Sequence, residues 1–314
     1  VQTPIRIGTR GSPLALAQTR LVMAAIMRQQ GWTQQDADAR MQVVTIKTSG
    51  DRIQDRPLAD VGGKGLFAKE LEEALLRNEI DCAVHSLKDM PTLLPEGLVL
   101  DCILPREDPR DALVCNIADT IDALPRAARF ATGSVRRQAQ VLNRRPDLEM
   151  LPLRGNVDTR LSKVTGGDVD ATLLAIAGLN RLGKTGSAIH LLPTEIFLPA
   201  VAQGAIGIET RSSNAYLRDI LEHINDAEAR LAVSLERAFL TVLDGSCKTP
   251  IAGYARRTRD GQMLFQGCAL SPDGSKRFDV SRTSRVDSTA HALAIGQSAG
   301  EELLAAAGRS FFQV

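Results

Sequence analysis

Ile5-Arg6-Ile7-Gly8-Thr9-Arg10-Gly11-Ser12-Pro13 reads as a strand that stops and a helix that begins. Ile5 to Thr9 is the strand; Ser12 supplies a side-chain cap, and Pro13 suits the first helical turn. Leu14, Leu21, Val22, Ala25 and Ile26 then give the helix its apolar face. The same arrangement returns at Phe130-Ala131-Thr132-Gly133-Ser134, followed by a helix through Leu142. Two such units predict two similar α/β domains. Each sets a helix N-terminus beside the carboxyl end of a strand, where anions collect.

The intervening chain fits that plan. Val43 to Lys47 reads as a strand, Leu66 to Arg77 as a helix, and Ile80 to Val84 as a buried parallel strand. After Leu98 to Leu104, the charged, proline-bracketed Pro105-Arg106-Glu107-Asp108-Pro109 marks a domain crossing. Leu148 to Leu153, a helix from Thr159, and Ala171 to Ala175 continue the second domain. Pro199 to Gly204 is the second crossing, and Ala205 to Thr210 returns as a strand to the first domain. From Ala227 the texture changes to one helix up to about Leu243, three strand-like segments with a turn signal at Asp273-Gly274, and a helix from Ser288. The expected division is residues 1–104 with 205–223, residues 105–204 with hinges near 105–110 and 199–204, and a smaller α+β domain over 224–314.

Composition narrows the function classes. A net charge of +1 over 314 residues gives no electrostatic reason to expect nucleic acid or an anionic membrane as partner. Aromatics at 4% leave little on which to stack bases. Apolar stretches such as Ala171 to Leu179 are too short to span a bilayer. Five cysteines, odd in number and without a Cys-x-x-Cys, suit reduced thiols in a cytoplasmic protein better than disulfides or a zinc site. No metal is expected. The first residues enter a strand pattern without a basic segment and apolar run, which adds to the cytoplasmic expectation.

Arginine outnumbers lysine 30 to 8, and residues 126–160 hold eight arginines, no lysine and three acids. Guanidinium forks grip carboxylates two-pronged, as lysine cannot. Arg136-Arg137 follow Ser134 in a first helical turn, where cations are disfavoured unless an anion is present. Arg154 lies just past a strand, and Arg160 in the first turn of the next helix. Together they point to a ligand with several carboxylates, or to a solvated basic face. His85-Ser86-Leu87-Lys88-Asp89 follows a buried strand, a place for acid/base work or for an ordinary capped turn; His85 reads as a structural histidine. Gly62-Gly63-Lys64-Gly65 fails the phosphate-loop pattern, since Leu58 and Gly65 stand where Gly and Ser or Thr are needed. The polar stretch Thr48 to Gly63 reads as a lid or a plain surface loop. Cys247 follows a helix C-terminus with only Lys248 beside it, so nothing local activates it for turnover.

These stretches, taken together, resemble the porphobilinogen deaminase (hydroxymethylbilane synthase) family. The resemblance is carried by Thr9-Arg10-Gly11-Ser12-Pro13-Leu14-Ala15, Gly63-Lys64-Gly65-Leu66-Phe67 and His85-Ser86-Leu87-Lys88-Asp89. It continues through Arg106-Glu107-Asp108-Pro109-Arg110-Asp111-Ala112, Ser134-Val135-Arg136-Arg137-Gln138 and Leu153-Arg154-Gly155-Asn156-Val157 with Thr159-Arg160-Leu161. Gln203-Gly204-Ala205 and Cys247 with Pro250 complete it, so it covers essentially the whole chain. Ala202 and Ser246 stand where the family usually has glycine.

The resemblance implies two α/β domains of periplasmic-binding-protein-like type flanking a cleft, with a third, smaller α+β domain presenting Cys247 to it. It implies a dipyrromethane cofactor bound covalently through Cys247, and a monomer that joins four porphobilinogen molecules head to tail with loss of ammonia. Asp89 would be the essential carboxylate. Ser86, Lys88, Thr132, Ser134, Arg136 and Arg137 would hold the cofactor's carboxylates. Arg10, Ser12, Arg154, Arg160 and Arg181 would meet substrate, and Lys64 and Phe67 belong to the lid. The competing reading is a non-catalytic two-domain anion-binding module, which leaves the cysteine domain unexplained. A cysteine hydrolase would need a histidine partner that no motif supplies.

Overall fold

The computed structural model describes residues 4–52, 65–186, 188–243 and 249–312. They form two compact units. One takes in residues 65–107 and 205–230 with the N-terminal segment; the other takes in 108–204 and the C-terminal residues from 231.

The first unit is built on β1 (Ile5–Thr9), β2 (Met41–Thr45), β3 (Cys82–Ser86), β4 (Leu98–Ile103) and β10 (Ile206–Arg211), in the order β2-β1-β3-β10-β4. β1 runs parallel to β2 and β3, while β10 is antiparallel to both β3 and β4. Helix Pro13–Gln30 covers one face. Its Val22 and Ile26 are fully buried in one cluster with Ile7, Val84 and Ile208. Helix Lys69–Leu76 covers the other through Leu71 and Leu75, packed with Ile80 and Ala83.

The second unit repeats the plan. β5 (Asp111–Cys115), β6 (Arg129–Ala131), β7 (Glu149–Leu151), β8 (Ala171–Ala175) and β9 (Ile189–Leu191) lie in the order β7-β6-β8-β5-β9. β6 is parallel to β7 and β8, and β5 is antiparallel to β8 and β9. In each sheet, three parallel strands are followed by one antiparallel strand that the chain supplies just after a crossing. A shared ion pair marks the same position in both. Arg6 grips Asp81, and Arg129 grips Asp170, each through backbone N–H, Nε and Nη2. Each acid directly precedes the third parallel strand. The two halves are therefore alike in topology and in a side-chain detail, as the repeated strand-to-helix pattern implied.

The second unit also contains the C-terminal sheet, β11 (Ile251–Arg257), β12 (Met263–Leu270) and β13 (Arg277–Ser284), antiparallel throughout. Helices Ala227–Val242 and Thr289–Ala307 complete this α+β part. Gly274 takes a left-handed φ of 72° at the expected turn.

Some boundaries differ from the sequence reading. The third strand lies at Cys82–Ser86, not Ile80–Val84, because Ile80 packs against Leu71 and Leu75 instead of entering the ladder. The helix expected from Leu66 begins at Lys69, after Gly65 at φ 80°. Helix Val157–Thr165 starts two residues before Thr159, at a cap formed by Asn156. β5, β9 and helices Gln34–Arg40 and Ala215–Glu222 were not anticipated. Among the described residues no helix is long and apolar enough to cross a membrane.

Candidate active site

In α/β sheets, ligands gather where parallel strands end. In the first unit the adjoining carboxyl ends of β1 and β3 deliver Arg10, Ser12, Ser86 and Asp89 to one concavity, also lined by Gln18 and Phe67. Ser12 caps its helix, accepting from Ala15 N–H at 3.2 Å. Such a cap contributes about 1 kcal/mol. Ser86 Oγ lies 2.8 Å from Gln18 Nε2. Leu87–Asp89 form a single 3₁₀ turn that leaves Lys88 and Asp89 exposed and buries Leu87 and Met90.

Arg10 is held on both sides. Its guanidinium stacks on the Phe67 ring at 3.9 Å and donates from Nε to Asp51 at 3.2 Å. Asp51 in turn accepts from the Thr48 hydroxyl at 2.7 Å. Burial alone would raise the Asp51 pKa, but Arg10 and Thr48 outweigh it and hold it below the usual carboxylate range. The Nε–Nη2 edge of Arg10 is thus already engaged by a carboxylate of the chain itself, which fixes the orientation of the guanidinium.

In the second unit the ends of β6, β7 and β8 carry the remaining candidates. Thr132 is buried, and its Oγ1 accepts from Ser134 N–H at 3.1 Å. Ser134 caps helix Val135–Arg144. Arg136 and Arg137, 6% and 5% exposed, both reach Asp111, which is 0% exposed, at 2.8 and 2.7 Å. Burial pushes the Arg136 pKa down, and Asp111 opposes that. The anion that cations in a first helical turn require is therefore supplied in part by the chain itself. Two guanidiniums still face one carboxylate, a surplus of positive charge that fits a group bearing carboxylates. Arg154 and Arg160 are partly buried beside the turn at Gly155, whose carbonyl accepts from Arg160 Nε at 3.0 Å. Arg181 Nη2 donates to Gly204 O at 2.6 Å.

Ser86, Arg10, Ser12 and Asp89 are thus brought together in one unit, and Thr132, Ser134, Arg136 and Arg137 in the other. Lys64 and Cys247, with most of the stretch read as a lid, lie outside the described residues. The sequence reading passed over Asp51, Gln18 and the anchoring role of Asp111. Asp111 stood in a quoted motif, but its partners are 25 and 26 positions away, and only folding makes them neighbours. Gln203, which donates to Asp111 at 3.1 Å, is more distant still. Ala202 adopts a left-handed φ of 59°, which accounts for a glycine preference there.

Helix Lys69–Leu76 of the first unit carries a buried acid, Glu72. Burial, followed by the charges of Glu209 and Glu73, pushes the Glu72 pKa up to about 7. Between the ordinary glutamate value and pH 7, the folded protein keeps a proton that the unfolded chain has lost. Stability therefore falls as pH rises through that window and levels off above it. Glu72→Gln should abolish this contribution, gaining about 1–3 kcal/mol over wild type at pH 8 and almost nothing at pH 4.5. Urea midpoints at the two pH values give the comparison, and a pH-independent difference would refute the assignment.

The family model described as the porphobilinogen deaminase dipyromethane cofactor binding domain matches residues 5–219, and that of the porphobilinogen deaminase C-terminal domain matches 230–305. The chain belongs to the porphobilinogen deaminase family. It is 50% identical over 308 residues to the chloroplastic porphobilinogen deaminase of Oryza sativa, covering 98% of this chain and 85% of the relative. It is 51% identical to porphobilinogen deaminase of Nitrobacter winogradskyi (98% and 94% covered) and 50% identical to that of Paracoccus denitrificans (99% and 97%). Among solved structures it is similar to the sulphonate-binding protein SsuA of Escherichia coli, with TM-score 0.39 and 14% identity over 77% of this chain and 70% of that one. Membership makes this chain a porphobilinogen deaminase of tetrapyrrole biosynthesis, a transferase with a dipyrromethane cofactor.

Proposed function

We propose that the chain joins four porphobilinogen molecules head to tail through the residues gathered at its strand ends, as a cytoplasmic monomer. In this reading its working domains are 1–104 with 205–223, 105–204, and 224–314. The observation that carries the proposal is the concavity where Asp89 and Arg10 share the ends of β1 and β3. Asp89 supplies a fixed negative charge for the positive charge that develops on pyrrole nitrogens as ammonia leaves, and it can pass a proton. Arg10 and Ser12, with Arg154, Arg160 and Arg181, take the carboxylates of the incoming ring. Arg136 and Arg137, with Thr132, Ser134, Ser86 and Lys88, hold those of the cofactor. Cys247 bears the cofactor by a thioether, and Lys64 and Phe67 border the entrance. When bound, dipyrromethane offers the free α-carbon that primes the chain.

The arginines give the direct test. A charge-assisted hydrogen bond contributes roughly 1.5–3 kcal/mol, and each 1.4 kcal/mol is about a decade. Arg136→Leu and Arg137→Leu should yield protein without cofactor, because assembly needs those forks first. Arg154→Leu and Arg160→Leu should yield protein that carries cofactor but turns over about ten- to a hundredfold more slowly. Exposed Arg285 should affect neither. One intact mass and one rate of porphobilinogen consumption per variant suffice. Cofactor retained in Arg136→Leu and lost in Arg154→Leu would reverse the two groups.

A further inference from the structure

The turn that carries Asp89 is fixed from behind by β10. Leu87 N–H donates to Ala205 O at 3.1 Å. The Leu87 side chain lies over Gly207, where an added Cβ would come within 2.3 Å of Leu87 Cδ2. Gly207 is the ladder partner of His85, and the His85 ring reaches the residue two further along β10, with Nε2 3.1 Å from Glu209 Oε2. Both partners are buried, at 5% and 0% exposed. Glu72 is buried nearby on the helix that covers this face. Neither Glu209 Oε1 nor Glu72 Oε1 has a hydrogen-bond partner among the described residues.

A buried imidazole–carboxylate pair is a poor way to stabilise a sheet. Desolvation offsets most of the attraction, and apolar residues of similar volume often serve as well or better. What such a pair does provide is direction, since its hydrogen bond fixes one ring orientation, and here that ring sits one residue before the end of β3 and four residues before Asp89. The two contacts with β10, polar at His85 and apolar at Leu87, leave the turn little freedom to rotate.

We propose that the His85–Glu209 pair is a positioning device for the family's reaction, aiming the Ser86–Asp89 turn so that the Asp89 carboxylate meets the reacting pyrrole. The inference rests on the reading of Asp89 as the essential carboxylate. A misplacement of about 1 Å can cost about a hundredfold in rate, so the effect should fall on kcat and not on binding.

The test uses the holoenzyme with porphobilinogen. Glu209→Leu, which keeps bulk but removes the acceptor, should lower kcat ten- to a hundredfold with KM within threefold and the cofactor mass increment intact. Glu209→Gln, which can still accept from the imidazole, should recover most of the lost kcat. The double variant His85→Leu/Glu209→Leu leaves neither partner unpaired; its circular dichroism should match wild type while kcat stays low. Wild-type kcat in either leucine variant would overturn the proposal. So would loss of cofactor or fold in both, since the pair would then serve only as scaffold. Asp89→Asn measured alongside separates the two readings. Wild-type turnover there removes the role of Asp89, whereas an inactive Asp89→Asn beside a fully active Glu209→Leu removes only the positioning.

Discussion

Cys247→Ser should yield a protein at its bare sequence mass, with turnover at background, where the wild-type protein should be heavier by one dipyrromethane. In the proposed attachment a carbon–sulfur bond would form and the carbon–nitrogen bond of an aminomethyl group would break; the thiol proton would leave with the amine as ammonia, so no oxidant would be involved. A serine hydroxyl is far less acidic and a far weaker nucleophile, and without the primer there is nothing to extend. The other thiols cannot substitute. Cys82, Cys102, Cys115 and Cys268 are all buried. Burial pushes the thiols of Cys102 and Cys268 up to about 12 and that of Cys82 higher still, so they offer almost no thiolate. Replacing each of these four should leave the mass increment in place. An unmodified wild-type protein with full activity would end the attachment claim.

Asp89→Asn should retain fold and cofactor while kcat falls about a hundred- to a thousandfold, the usual cost of losing one preorganised electrostatic partner of a transition state. The amide keeps the shape of the carboxyl group but not its charge. Because Asp89 is exposed on a one-turn helix, no buried partner is lost, and the melting temperature should stay close to wild type. KM should change little, since in the proposed reading the arginines and not Asp89 take the ring carboxylates. Circular dichroism, intact mass and steady-state kinetics on one preparation make the comparison. Wild-type turnover would mean that another group carries the charge stabilisation.

The arginine excess and the strand-to-helix pattern are both legible in the sequence. An N-cap serine, a first-turn proline and an apolar face at helical spacing are local signals, and they placed Ser12, Ser134 and their helices correctly. The repeated halves were legible for the same reason, although the matching Arg6–Asp81 and Arg129–Asp170 grips were not. Each such pair joins residues 41 or 75 positions apart. Short strands at the sheet margins, such as Ile189–Leu191, carry too few residues to show an alternation.

By itself, the sequence determined the family, the α/β class and the residue types able to hold a polycarboxylate. Those features rest on covalent order and on interactions within a few residues. Only the tertiary structure decided which charges are already answered. Arg10 meets Asp51 and Phe67, Arg136 and Arg137 converge on Asp111, and His85 finds Glu209 across 124 positions. Burial sets the energetic weight of those encounters, because a charge withdrawn from water must find its partner inside the fold. Burial is a property of the packed chain, and no spacing rule along the sequence states it.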